Sequence, residues 1–126
     1  MLRSAQHDKV NCMDTLEKLY ASCRGLNRRF PDGNDPFQIM TCLLEEGGEL
    51  AEQVNHFEGK GIKREKHGEP DKAKLAKEVQ DVMRCALQIG MYYGIEKELH
   101  ASIEKSYQRV KEEERVERFD NGGNLV

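Results

Sequence analysis

Apolar residues recur at helical spacing along most of the chain, and polar breaks separate them into four runs. In "NCMDTLEKLYASCRGL", Met13, Leu16, Leu19 and Tyr20 fall on one side of a helix, which predicts a short leading helix. "NRRFPDGNDP" follows with Asn, Gly, Asp and two prolines, the chemistry of a loop. Asp35 before Pro36 supplies a cap and a first-turn proline, so a second helix is predicted from there through "FQIMTCLLEEGGELAEQVNHF". "EGKGIKREKHGEPD" holds three glycines, a proline and many charges with little to bury, and about residues 58–72 read as an exposed loop. A third helix is predicted near Asp71, through "KAKLAKEVQDVMRCALQIGMYYG", with Gly94 as its stop. The fourth, from Ile95, has Leu99, Ile103, Tyr107 and Val110 on its apolar side and turns highly charged beyond Arg115. No stretch alternates as a strand would. The pattern predicts one all-α domain over residues 1–126, with three long helices, a shorter leading one, and frayed ends at about 1–10 and 116–126.

The angular positions of the charges say more than their number. With about 100° between successive residues, Ile39, Leu43, Leu50, Val54 and Phe57 lie roughly 20° to 80° from Glu46, a face to bury. Glu49 lies about 60° to the other side of Glu46. On the third helix, Leu75, Val79, Val82, Ala86 and Ile89 stand in the same relation to Glu78, and Asp81 mirrors Glu49. If the two apolar faces pack antiparallel, four carboxylates converge at the edge of the core. Such anions repel one another unless a cation sits among them, and a hard divalent ion with oxygen ligands, Mg²⁺ first among them, fits that role. The opposing reading is a solvated acidic face, common wherever helices carry Glu at this spacing. None of Glu46, Glu49 and Glu78 has a cation four residues later, and Gly47 and Gly48 accept a helix cost of about 1 kcal/mol each. Those glycines leave room for a second backbone or for a ligand.

Composition narrows the alternatives. The chain has 126 residues, 34% of them charged and 37% hydrophobic, with a net charge of −3. That charge offers no general attraction to a nucleic acid polymer or an anionic membrane, so any polyphosphate must be held locally. No apolar run is long enough to span a bilayer, and "MLRSAQHDKV" carries no export signal, so a cytoplasmic protein is expected. The four cysteines show no metal-binding spacing and read as reduced, structural thiols. A di-iron bundle would place an acid three residues before an inward His; Ser4, Gln53, Arg64 and Lys97 occupy those positions instead. Met83, Leu87, Met91 and Tyr92 lie outside the main apolar arc of the third helix, which predicts a homodimer or homotetramer.

"LLEEGGELAE" followed by "KEVQDV" resembles the paired EExxE and ExxD motifs of the MazG-like, all-α nucleoside triphosphate pyrophosphohydrolases, over about Asp35 to Arg109. The resemblance implies a helical bundle completed by oligomerisation. It implies cleavage of a (d)NTP between the α and β phosphates, giving a monophosphate and pyrophosphate and serving the nucleotide pool. Glu46, Glu49, Glu78 and Asp81 match the positions of the Mg²⁺ ligands, with Mn²⁺ as a possible substitute. Glu45, the first acid of the motif, would bind a further Mg²⁺ or help orient the attacking water, and Glu49 is the second catalytic candidate. Lys74, Lys105 and Arg109 resemble the family's phosphate-binding cations in placement. The chain departs from the family in having no Trp before EExxE, leaving Phe30 or Phe37 as the aromatics that could meet a base. A non-catalytic helical protein with an acidic interaction patch, or one that metal merely stabilises, is the alternative.

Overall fold

The computed structural model describes the backbone of residues 2–59 and 62–117, and the side chains of residues 15–59 and 65–115. Every regular element among them is helical: α1 (Leu2–Arg29), a 3₁₀ turn (Pro31–Gly33), α2 (Pro36–Glu58), α3 (Ile62–His67), α4 (Lys72–Tyr92) and α5 (Glu96–Glu117). The all-α expectation is met. No helix among the described residues is long and apolar enough to cross a membrane. The chain falls into two compact units, Met1–Tyr92 and Tyr93–Val126.

In the first unit the long helices begin where local chemistry tells them to. Asp35 accepts hydrogen bonds at Oδ1 from the backbone of Phe37 and Gln38, at 2.8 and 3.2 Å, and Pro36 occupies the first turn. Asp71 repeats the device on α4, accepting from the Ala73 amide at 2.8 Å. The endings differ. At Gly59, which closes α2, a Cβ would collide with the Asn55 carbonyl, so only glycine fits. Gly94, after α4, has φ +64, the left-handed stop that glycine adopts without strain.

α4 packs mainly against α2 and more lightly against α1. This second contact corrects the apolar assignment on α4. Leu87 is buried, because α1 covers the side of α4 that α2 does not, whereas Val79 and Val54 of the expected core stripes are 42% and 47% exposed. Gly90 also falls on the buried side of α4. The core proper is small: Tyr20, Cys23, Ile39, Cys85 and Leu87. Burial pushes the Cys23 and Cys85 thiols up from their ordinary range, as inert structural cysteines require. Cys23, Cys42 and Cys85 are free thiols.

Two other differences concern length. The leading helix is not the shortest long helix but the longest, with 28 residues, and it is helical from Leu2. Its first ten residues carry too little apolar pattern to announce a helix. The polar loop contains α3, a six-residue helix ending at His67. The tail from residue 118 onward lies outside the described residues.

The second unit contains α5. Its apolar side chains Ile103, Tyr107 and Val110 are each about half exposed, and its last turns carry the ion pairs Arg109–Glu113 and Arg115–Glu112.

Candidate metal centre at the seam of α2 and α4

Contacts along the seam give the direction of the two helices. Gln38, Ile39 and Cys42 of α2 share a cleft with Arg84 and Gln88 of α4, Glu46 reaches Arg84, and Glu52, Gln53 and His56 share a pocket with Lys74. Moving forward on α2 therefore means moving back on α4. This is the antiparallel match that the two i, i+3 pairs require.

Glu46, Glu49 and Glu78 come together. One carboxylate oxygen of each lies within 4.8 Å of the others. Glu46 and Glu78 are half-buried, and Glu49 stands on the exposed rim. In the ionised state, Glu46 Oε2 and Glu78 Oε2 are buried without a hydrogen-bond partner. Both groups hold their protons more tightly than an ordinary glutamate. For Glu46 the largest cause is loss of solvent, followed by repulsion from Asp81 and Glu49, with Arg84 partly offsetting it. For Glu78, loss of solvent comes first, then repulsion from Glu49 and a hydrogen bond with Glu49 that needs a proton on one of the two.

Asp81, the fourth acid of the expected set, stands apart from this group. Lys77 donates to its Oδ1 at 2.8 Å, and the Arg84 guanidinium lies 3.8 Å away. Neither cation stands four residues after an acid of the set: Lys77 lies four before Asp81, and Arg84 three after. Asp81, Arg84 and Gln88 form a polar ridge at i, i+3, i+7, a spacing that would have marked them as facing one seam. Arg84 also reaches Glu46 Oε1 at 3.7 Å and donates to Gln88 Oε1 at 2.9 Å. Gln88 in turn donates to Asn27 Oδ1 of α1 at 3.2 Å. Arg84 is thus a half-buried cation of the described seam, linking the acids to a neutral amide chain.

Beside Arg84 lies a cleft of about 200 Å³, lined also by Asn27, Phe30, Gln38 and Gln88. Phe30 is 55% exposed, with Arg29 over its ring at 5.4 Å. Phe37 is 82% exposed and does not line this cleft.

The remaining expected site residues are more dispersed. Glu45 is exposed and outside the carboxylate group. Lys74, one turn before Glu78, is exposed and lines a separate polar pocket. Lys105 and Arg109 are exposed on α5, in the second unit. Around Gly47 and Gly48 a Cβ would meet nothing within 4 Å, so no helix packs on them among the described residues, and open space adjoins the acids.

An all-oxygen, net anionic donor set with two orphaned oxygens suits a hard cation and would serve a softer metal poorly. No family model, curated protein or solved structure matches the chain.

Proposed function

We propose that the chain is a Mg²⁺-dependent nucleoside triphosphate pyrophosphohydrolase that releases a (d)NMP and pyrophosphate. One observation carries the reading: three carboxylates converge with two of their buried oxygens unpaired. Folding has left Glu46 and Glu78 raised in pKa, each with one buried oxygen unpaired, which costs stability unless something from outside joins them. Glu46, Glu49 and Glu78 would hold the ion, and Asp81 completes the set once a polyphosphate competes for Lys77 and Arg84. Bound Mg²⁺, or Mn²⁺ in its place, supplies charge neutralisation and a more acidic water.

The chain's own residues do the rest. Glu49, on the exposed rim, would accept the water's proton, and Glu45, exposed outside the carboxylate group, would help orient that water or hold a further Mg²⁺. Arg84 holds Glu46 and Asp81 in place, and it is the natural boundary between the phosphate and nucleoside halves. The amides of Asn27, Gln38 and Gln88 and the ring of Phe30 offer hydrogen bonds and a stacking face for a base. Lys74 is the phosphate-binding candidate of the first unit. The exposed apolar side chains Leu16, Val79 and Met83 on the first unit, and the stripe on α5, favour a homodimer or homotetramer.

The deciding experiment incubates a panel of NTPs and dNTPs with the protein and Mg²⁺, then quantifies nucleotides by anion exchange and pyrophosphate separately. Monophosphate with equimolar pyrophosphate, abolished by EDTA and by Glu49→Gln, is the expected result. Survival of every nucleotide, with Mg²⁺ still raising the melting temperature, would leave a metal-stabilised, non-catalytic bundle. No turnover and no metal effect would sink both.

A further inference from the structure

One helical turn beyond the acids, where α2 meets α3, lies a second polar pocket of about 220 Å³. Its chemistry is different. His56 and His67 both line it, and their rings stand edge to face with centroids 6.3 Å apart. His56 Nε2 lies 2.8 Å from the Gly68 carbonyl oxygen. A carbonyl only accepts, so Nε2 carries the proton and Nδ1 keeps its lone pair for another partner. A histidine held by a backbone carbonyl through one nitrogen has the tautomer and fixed ring orientation of imidazoles that bind metals through the other.

Gly68 makes the arrangement possible. Its φ of +75 turns the chain directly after His67, so that His67 and Glu69 line the same pocket while the carbonyl between them meets His56. Glu52, four residues before His56 and on the same side of α2, lines it as well. Gln53 Oε1 is buried at this pocket with no hydrogen-bond partner, an acceptor suited to a metal-bound water. With a metal–nitrogen bond of about 2.1 Å, two imidazoles on one ion hold their centroids about 5 to 6 Å apart. The observed 6.3 Å is wider, and no three ligand atoms of Glu52, His56, His67 and Glu69 lie within 4.8 Å of one another as the chain stands, so an ion would have to draw the rings and a carboxylate together.

We propose that His56 and His67, joined by the carboxylate of Glu52 or Glu69, form a second metal site, selective for a borderline divalent ion of the Zn²⁺ class. Imidazole ligands favour Zn²⁺, Co²⁺ and Ni²⁺ over Mg²⁺, whereas the all-oxygen group one turn away has the opposite preference. The two sites share no metal ligand, although Lys74 and Asp71 also line the second pocket, and the proposal stands whether or not the chain turns over a nucleotide.

Co²⁺ serves as a visible stand-in for Zn²⁺. It is titrated into metal-stripped full-length protein in excess Mg²⁺, which occupies or competes for the oxygen site. The expected result is a visible absorption band saturating at one Co²⁺ per chain and erased by added Zn²⁺. His67→Ala and His56→Ala should each weaken it by at least about tenfold, and Glu49→Gln should leave it unchanged. Circular dichroism confirms that the variants remain helical; His67 is exposed, and its ring gives up the edge-to-face contact with His56. A band unchanged in both histidine variants would overturn the proposal. So would a band lost in Glu49→Gln, or no band at all.

Discussion

Two polar clusters share α4, and they have been left in opposite conditions. Towards α1, Arg84, Gln88 and Asn27 form a chain in which each link is a hydrogen bond made within the protein. Towards α2, Glu46, Glu49 and Glu78 confront one another, and two buried oxygens have no partner. The first cluster is complete when folding ends; the second is not. A polar network satisfied by its own chain holds helices together, and one that stays unsatisfied points to a ligand from outside.

The largest effect that separates the two is on catalysis. Glu78→Gln should reduce Mg²⁺-dependent pyrophosphate release by about 100-fold or more, read as kcat/KM with the preferred nucleotide. It should also abolish the rise in melting temperature that Mg²⁺ brings. Asn27→Ala should do neither to the Mg²⁺ response while lowering the melting temperature itself. If Asn27→Ala erased the metal response and Glu78→Gln preserved it, the comparison would be reversed.

Next comes Arg84, the one residue in both clusters. Arg84→Met removes ion pairs with Glu46 and Asp81 and the hydrogen bond to Gln88, which should cost about 2 kcal/mol in urea unfolding. Loss of the guanidinium also leaves the acids less compensated, so added Mg²⁺ should restore more stability to this variant than to the parent. An equal Mg²⁺ effect on both would show that Arg84 does not moderate the acid cluster.

The pH dependence is smaller but more specific. Glu46 and Glu78 hold their protons more tightly in the folded chain than in the unfolded one, with Glu49, Asp81, Lys77 and Arg84 as the facing charges. Their contribution to stability is therefore full below the ordinary carboxyl range and is lost as pH rises through the raised folded values. In EDTA, the parent should lose stability relative to Glu46→Gln across that rise. With Mg²⁺ the difference should shrink, because the ion takes the place of the protons. A parent and a Glu46→Gln variant with parallel pH profiles in EDTA would remove the argument.

Gly48→Ala is the subtlest. Nothing lies within 4 Å of the added methyl, so the folded chain should gain about 0.5 to 1 kcal/mol from helix propensity. If turnover falls while stability rises, the open space beside the acids is used by substrate. Unchanged turnover would make Gly48 neutral towards the site.

How much of this was legible beforehand depends on what each feature rests upon. α2 announced itself because Asp35 and Pro36 are adjacent and its apolar positions recur without a break. α1 upstream of Asn11 did not, since "LRSAQHDKV" has too little apolar content to show a period. α3 was hidden for the same reason, in a polar segment whose glycines point to a loop. The acid pairs were readable from spacing alone, as were the two helices that bear them. The division of labour among the acids was not. Asp81 owes its separate fate to Lys77 and Arg84, and Leu87 owes its burial to α1; both are facts about neighbours that one helix's periodicity does not contain.

The aspartate caps on α2 and α4 have a consequence for how the chain tolerates change in length. Each helix starts at its own cap, so the phase of its acids is fixed locally and owes nothing to the segment that joins them. An insertion or deletion between Gly59 and His67 would leave the oxygen cluster in register but displace His67 from His56. Length variants of this connection would therefore act as a genetic separation of the two sites, keeping one and discarding the other. A lineage could lose the imidazole site by a slip of a codon or two while its oxygen site passed unchanged to its descendants.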